Sequence, residues 1–71
     1  MENKVIAQKV SKNLSQLRKQ YRYTQKDLAD MAGLNLNYYA KVERGESVPS
    51  LKTVMKLAKV LKVSATDVVG F

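Results

Sequence analysis

The side chains available for chemistry in this chain are amines, guanidiniums, amides and hydroxyls. The sequence contains no cysteine and no histidine, which excludes a disulfide, a thiol nucleophile, an imidazole base and a zinc site built from those ligands. Thirteen lysines and arginines stand against six acidic residues, so the net charge is +7. A charge of this size is expected of a chain that approaches a polyanion. Nucleic acid is the first candidate ligand, and an anionic membrane surface is the second.

One short stretch carries side chains that could contact nucleic-acid bases. If Leu36 to Glu43 forms a helix with Tyr39 and Val42 facing inward, the side chains on its opposite surface are available to base edges. Asparagine can pair with adenine in a bidentate manner, lysine can reach the acceptors of guanine, and aliphatic or small side chains can pack on a thymine methyl group. The alternative is an ordinary solvated helix face. The outward side chains are Leu36, Asn37, Ala40 and Lys41.

Two of the elements around this stretch are predicted by apolar residues at helical spacing. From Asn3 to about Gln20 these residues recur at steps of four, four and three, and a second stripe begins after Pro49-Ser50 with lysines on its other side. A lysine row opposite an apolar stripe is usually the solvated face of a helix. The first stripe is Ile6, Val10, Leu14 and Leu17; the second is Leu51, Val54, Leu57, Ala58 and Leu61; the lysines are Lys52, Lys56, Lys59 and Lys62.

Three shorter helices are predicted by their polar starts. A hydroxyl or amide side chain before an apolar run can accept hydrogen bonds from the free amides of the first turn, and an acidic residue three positions on favours the same end. Gly33 and Gly45 mark the turns after two of these helices. The caps and the helices they start are Thr24 with Asp27 for Gln25 to Ala32, Asn35 for Leu36 to Glu43, and Ser64 with Asp67 for Ala65 to Val69. The predicted fold class is therefore all-α, with five helices and no strand.

The segment from Thr24 to Gly45 resembles the phage repressor and Cro-type helix-turn-helix family, also called the xenobiotic-response-element family of bacterial regulators. The resemblance spans about residues 10 to 71 and implies a single compact, five-helix, lambda-repressor-like DNA-binding domain over residues 1–71. It also implies that two helices joined by a glycine-containing turn present the second one to the major groove. The matching residues are Thr24-Gln25, Leu28-Ala29, Gly33, Asn35, Val42-Glu43 and Gly45, with Arg18, Pro49-Ser50-Leu51, Ala58, Leu61 and Val63-Ser64 outside the motif.

The resemblance assigns contacts with the phosphate backbone to residues around the motif. Gln25 would bond a phosphate oxygen at the start of the second helix and could also buttress a side chain of the third; alternatively it is only a good helix former. Arg44 and Lys52 would hold the other flank of backbone. Tyr38 would donate its hydroxyl to phosphate or serve as a core aromatic, and both readings stay open.

Family resemblance also implies an ion pair between Arg18 and Glu43 that locks the third helix. The sequence departs from the family at Arg22, where a glycine is usual, so that turn must accept a strained non-glycine residue or another geometry. Tyr39 replaces a branched aliphatic residue, and its hydroxyl could reach the surface. Ala40 stands where a serine is common.

We expect a homodimer, because a module of this size contacts one half-site of a pseudo-palindromic operator. The half-sites would lie about 34 Å apart. Val68, Val69 and Phe71 are the candidate dimer contacts, although they could instead close a small core. We further expect a cytoplasmic bacterial or phage-type regulator, a repressor or autoregulator, that needs no cofactor, binds no evident small molecule and does not use a membrane. The chain would be either a minimal regulator or a domain of a longer one.

Two rival functions remain at this stage. One is a protein-interaction module such as the DNA-binding antitoxin of a toxin pair, which would present an apolar groove to its partner. The other is a non-specific basic protein that binds nucleic acid or membrane by charge. An enzyme has almost no support, because Asp27 and Asp67 serve as helix-start charges and Glu43 is expected to be paired, which leaves no pair of catalytic carboxylates.

Overall fold

The computed structural model describes residues 2–70, and the side chains of residues 4–70. Within these residues the chain forms five α-helices and no strand, so the predicted fold class is confirmed. None of the described helices is long and apolar enough to cross a lipid bilayer. The helices are α1 (Glu2–Gln20), α2 (Gln25–Met31), α3 (Leu36–Glu43), α4 (Leu51–Leu61) and α5 (Ala65–Val69).

The polar starts predicted for three helices are present. The Thr24 hydroxyl accepts a hydrogen bond from the Asp27 amide at 3.0 Å, and the Asp27 carboxylate accepts one from the Thr24 amide at 2.9 Å. Ser64 and Asp67 make the same reciprocal pair at the start of α5. The side chain of Asn35 accepts from the amide of the residue three positions on at the start of α3. These caps satisfy amides that have no partner inside the helix, so the short helices begin where their side chains allow.

The turns on either side of α2 both use the left-handed region of backbone conformation. Gly33, in the turn to α3, has φ +69°, and a Cβ added there would meet nothing within 4 Å. Arg22, in the turn from α1, has φ +59°. The expected strain at a non-glycine residue is therefore present at Arg22, since a side chain disfavours this conformation.

A single apolar cluster joins all five helices. Its fully buried members come from every element, which means that no helix is held by local propensity alone. Within this cluster α3 packs against α1 and α2, while α5 packs against α1 and α4. The largest fully buried side chains are Tyr39, Leu14, Leu28, Leu57, Leu61, Val10, Val42 and Val68.

The prediction that Leu51 belongs to the buried stripe of α4 is wrong. Leu51 is 70% exposed, whereas Thr53 is only 8% exposed. At 100° of turn per residue, Leu51 lies about 90° from the centre of the buried face, so it falls at the edge of the core. Thr53 can be buried because its hydroxyl accepts a hydrogen bond from the Ser50 hydroxyl at 3.1 Å.

Candidate nucleic-acid interface

The outward side of α3 is a short row of polar and aliphatic side chains. Asn37 and Lys41 are exposed, Leu36 is 40% exposed, and Ala40 is half-buried. On the opposite side of the same helix, Tyr39 and Val42 have no exposed surface. The helix therefore presents one face to solvent while the other is fixed in the core.

A buried ion pair holds the end of α3 against α1. The Nε and Nη2 atoms of Arg18 lie 2.9 and 2.7 Å from the two carboxylate oxygens of Glu43, and the two side chains are 14% and 6% exposed. The remaining guanidinium nitrogen, Nη1, donates to the carbonyl oxygen of Tyr23 at 2.8 Å. A bidentate arginine–carboxylate pair of this kind is among the strongest hydrogen-bonded interactions in proteins. One side chain thus joins α1, the turn before α2 and the end of α3.

The surroundings of Glu43 keep its carboxylate charged. Burial raises its pKa, but the nearby side chains of Arg18, Tyr39 and Gln25 and the positive charge of Arg18 lower it, and the net shift of the Glu43 pKa is downward. The hydrogen bonds that Arg18 donates to the Glu43 carboxylate raise the pKa of Arg18. Gln25 is half-buried at the first position of α2. Its side chain helps to lower the pKa of Glu43, and its role as a buttress between α2 and α3 stays a prediction.

The expectation that the Tyr39 hydroxyl could reach the surface is wrong. Tyr39 has no exposed area, and its hydroxyl oxygen has no partner with good hydrogen-bond geometry among the described residues. Burial and the Glu43 carboxylate raise the pKa of Tyr39, so this hydroxyl stays protonated. The reason is geometric: Tyr39 lies on the inner side of α3, and its hydroxyl oxygen ends beside the Arg18–Glu43 pair.

The flank after α3 carries the predicted phosphate-binding cations. Arg44 is the C-terminal cap residue of α3, and its Nε lies 2.6 Å from a carboxylate oxygen of Glu46. Both side chains are more than half exposed, and Lys52 is exposed in the first turn of α4. Exposed ion pairs contribute little and exchange partners readily. Arg44 can therefore leave Glu46 for another anion at small cost.

The surroundings of Tyr38 are compatible with both predicted roles, a contact with phosphate and an aromatic side chain of the core. Tyr38 is half-buried, and its hydroxyl lies 3.4 Å from the hydroxyl oxygen of Thr53 in α4. Thr53 was not singled out in the sequence, because a threonine does not register in an apolar pattern. Its amide donates to the Ser50 hydroxyl at 3.2 Å, so the spacing of Ser50 and Thr53 was the available signal.

A second tie from α1 to the end of α3 had no signal in the sequence. The hydroxyl of Ser11 donates to the carbonyl oxygen of Glu43. The backbone turns beside it at Gly45, which has φ +78°. The C-terminal end of α3 is thus fixed both by its side chain and by its main chain.

The candidate dimer contacts at the end of the chain have different fates. Val68 has no exposed surface, so the prediction that it contacts a second copy is wrong, and it closes the core as the alternative stated. Its carbonyl oxygen accepts a hydrogen bond from the side-chain amide (Nδ2) of Asn13 at 3.2 Å, which ties α5 to α1. Val69 is half-buried. Phe71 lies outside the described residues.

Comparisons with known proteins show which family the chain resembles. The helix-turn-helix family matches residues 14–68. The transcriptional repressor RstR of the cryptic phage CTXphi from Vibrio cholerae is 34% identical over 62 residues, and the immunity repressor of Bacillus phage phi105 is 34% identical over 61. The matches cover 87% and 86% of this chain but 55% and 42% of the two repressors. The chain thus spans about half the length of the curated relatives it matches.

The fold has a close counterpart among solved structures. The restriction-modification controller protein C.AhdI from Aeromonas hydrophila matches with a TM-score of 0.82 and 31% sequence identity, over 90% of this chain and 94% of that chain. The chain belongs to the helix-turn-helix family. The predicted resemblance to Cro-type and phage-repressor regulators is confirmed.

Proposed function

We propose that this chain is a sequence-specific regulator of transcription that binds double-stranded DNA, with α3 as the recognition helix in the major groove. The observation that carries the proposal is the two-sided character of α3. Its outer row is open to solvent, while its inner side is fully buried and its end is held by the Arg18–Glu43 pair. A rigid helix that presents donors and acceptors on one face is what groove recognition requires.

The proposed contacts divide into those that specify and those that position. Asn37 would pair with adenine, Lys41 would reach the acceptors of guanine, and Leu36 and Ala40 would pack on thymine methyl groups. The positioning contacts are with phosphate, and they carry no sequence information directly. The proposed phosphate contacts are Gln25, Tyr38, Arg44 and Lys52.

A regulatory role follows from the relatives, which are named as repressors and as a restriction-modification controller. We assign the chain the role of a repressor or autoregulator, with residues 1–71 forming one DNA-binding module. It would act as a dimer on a pseudo-palindromic operator. With Val68 in the core, Val69 is the proposed dimer contact among the described residues, together with Phe71.

Fluorescence anisotropy tests the proposal directly. The protein is titrated into labelled DNA from immediately upstream of its own gene and into a scrambled duplex of the same composition, at about 150 mM salt. A specific regulator prefers the upstream DNA by about a thousandfold. The matched control is the Asn37→Ala/Lys41→Ala variant, which should lose the preference but keep its circular dichroism and melting temperature. Equal, salt-sensitive binding to both duplexes would overturn the proposal for this operator and indicate binding by charge alone.

A further inference from the structure

The exposed side of α4 carries an apolar surface of which the proposed DNA contacts use only Lys52. Met31, Leu51 and Met55 are 51%, 70% and 59% exposed, and they are three of the seven large apolar side chains that are exposed among the described residues. They line two adjoining hollows of about 610 and 630 Å³, and both hollows share Lys56 and Lys59. The α4 surface is defined here as Met31, Leu51, Lys52, Met55, Lys56 and Lys59.

The charges on the α4 surface have no counterpart among the residues that the structure describes. The ion pairs between described side chains are Arg18–Glu43, Lys26–Asp30 and Arg44–Glu46, and these three lie elsewhere. Lys52, Lys56 and Lys59 are exposed and form none. The stems of such lysines extend along neighbouring apolar side chains while their ammonium groups stay in water. The surface therefore combines exposed apolar side chains with uncompensated positive charge.

We infer that the α4 surface docks an acidic, amphipathic segment of another protein, with apolar side chains in the two hollows and carboxylates opposite Lys56 and Lys59. Complementary charge and an apolar groove are the two features that helix-in-groove recognition uses. The inference does not rest on the proposed DNA binding, because it depends on none of the α3 contacts.

Other occupants fit the α4 surface less well. In a pairing of two copies through this surface, the lysines of both copies would face each other, and like charges in contact oppose association. A membrane requires one continuous apolar face that enters the lipid, whereas the continuous apolar face of α4 is buried in the core and the exposed apolar side chains are divided between two hollows. Duplex DNA would satisfy the lysines but would leave Leu51 and Met55 without an apolar partner.

The probe is a synthetic helical peptide of about 14 residues with leucines one turn apart and glutamates beside them. Its binding to the full chain is measured by anisotropy, and ¹³C-methyl NMR signals of Met31 and Met55 report where it binds. Both methionines should shift, and the same peptide with lysines in place of the glutamates should not bind. The variant Lys56→Glu/Lys59→Glu should bind the acidic peptide about tenfold more weakly. The control variant is Lys12→Glu/Lys19→Glu, which changes the net charge by the same amount at exposed positions of α1. It should bind the acidic peptide as tightly as the unchanged protein does.

Further arms separate the alternative occupants. Leu51→Ala/Met55→Ala should weaken peptide binding while leaving operator affinity unchanged, so that failure of this inference is distinct from failure of the proposed DNA function. Self-association is measured by sedimentation, and membrane binding is measured by flotation with vesicles that contain one quarter anionic phospholipid. Both are measured for the same variants and for Met55→Glu. The inference is overturned if acidic and basic peptides bind alike, or if the two methionine signals do not move. Self-association or vesicle binding that Met55→Glu abolishes, without peptide binding, also overturns it.

Discussion

The side chain of Arg18 links separate segments of the chain through hydrogen bonds to Glu43 and Tyr23. Its guanidinium bonds both oxygens of Glu43 and the carbonyl oxygen of Tyr23, so it connects three segments that meet beneath the proposed DNA-binding surface. Both charged groups are nearly buried. A buried charge that loses its partner keeps the cost of its desolvation and loses the compensation.

Replacement of Arg18 tests this arrangement. Arg18→Ala should lower the free energy of unfolding by about 3 to 5 kcal/mol, because Glu43 would remain buried without its counter-charge. Urea titration followed by circular dichroism measures the loss. The matched control is Lys26→Ala, which removes the cation of the exposed Lys26–Asp30 pair and should change stability little. Equal effects of the two variants would contradict the importance of the buried pair.

The separation of base and phosphate contacts gives a second prediction. Lys41→Ala should change the preferred base at one operator position, at a cost of about 1 to 3 kcal/mol for the preferred sequence. Arg44→Ala should weaken all sequences alike and reduce the slope of log affinity against log salt by about one. Anisotropy on a panel of single-base operator variants, at several salt concentrations, distinguishes them. Identical behaviour of the two variants would refute the division of roles.

The pair between Arg44 and Glu46 leads to a third prediction. Glu46 holds Arg44 at 2.6 Å and adds a negative charge to a flank that is proposed to approach phosphate. Glu46→Gln should therefore strengthen binding severalfold for specific and scrambled DNA alike, because it removes both the competitor and the repulsion. Asp30→Asn removes the acid of another exposed pair and serves as the control. Unchanged affinity for Glu46→Gln would indicate that Arg44 does not approach the backbone.

At the scale of the elements, the two turns around α2 set the relation of α2 to its neighbours. Both have a residue at positive φ, but only one of these residues is a glycine. At Arg22 the backbone has a left-handed φ that its Cβ disfavours, while at Gly33 the space around an added Cβ is open. The two positions differ in residue type, so exchanging the types isolates the cost of the backbone conformation.

Opposite effects are predicted for the two turns. Arg22→Gly should raise the free energy of unfolding by up to about 1 kcal/mol, because the relief of left-handed strain exceeds the added freedom of the unfolded chain. Gly33→Ala should lower it by about 1 kcal/mol, since an added methyl meets no atom and only the φ angle opposes it. Thermal unfolding of both variants measures the shifts. A loss of stability in Arg22→Gly would show that its side chain contributes more than its strain costs.

Helix boundaries were predictable from the sequence because they depend on neighbours along the chain. Thr24, Asn35 and Ser64 act on amides within the same turn, so their roles do not wait for the tertiary fold. The width of a buried face depends on how far other helices extend over it. For that reason helix periodicity predicts that Leu51 is buried, although it lies at the edge of the core, and does not predict that Thr53 is buried.

The candidate site was predictable in part for the same reason. Which residues of α3 face outward follows from helix periodicity and one correct assignment of the inner face, so Asn37 and Lys41 could be selected. The position of the Tyr39 hydroxyl depends on the space left beneath α3, which no local pattern encodes. The α4 surface was not predicted either. Periodicity places Leu51 in the core, so it gives no sign of an exposed apolar surface on α4.

At the scale of the whole molecule, size constrains the proposed mode of binding. The longest dimension of the structure is 31 Å, which is shorter than the distance of about 34 Å between successive major-groove faces on one side of the duplex. In the proposed mode of binding, one copy would therefore contact one half-site. Reading two half-sites requires two copies in a fixed relation.

That relation predicts a dependence on operator spacing. Insertion of about 5 base pairs between the half-sites turns one of them to the opposite side of the duplex. Affinity should fall to that of an isolated half-site, and insertion of a full helical turn should leave the half-sites on one side but too far apart for the same dimer. Anisotropy and sedimentation on the three duplexes measure this. Undiminished affinity for the 5-base-pair insertion would contradict a rigid dimer.

The two sides of α3 also bear on how a regulator of this kind can evolve. Tyr39, Val42 and Glu43 hold the helix, whereas the side chains of Asn37 and Lys41 are exposed and form none of the ion pairs between described residues. Substitutions in the outer row should therefore change the free energy of unfolding very little. A lineage can try new outer residues without first acquiring compensating changes in the core, so operator preference can diverge faster than the scaffold that carries it.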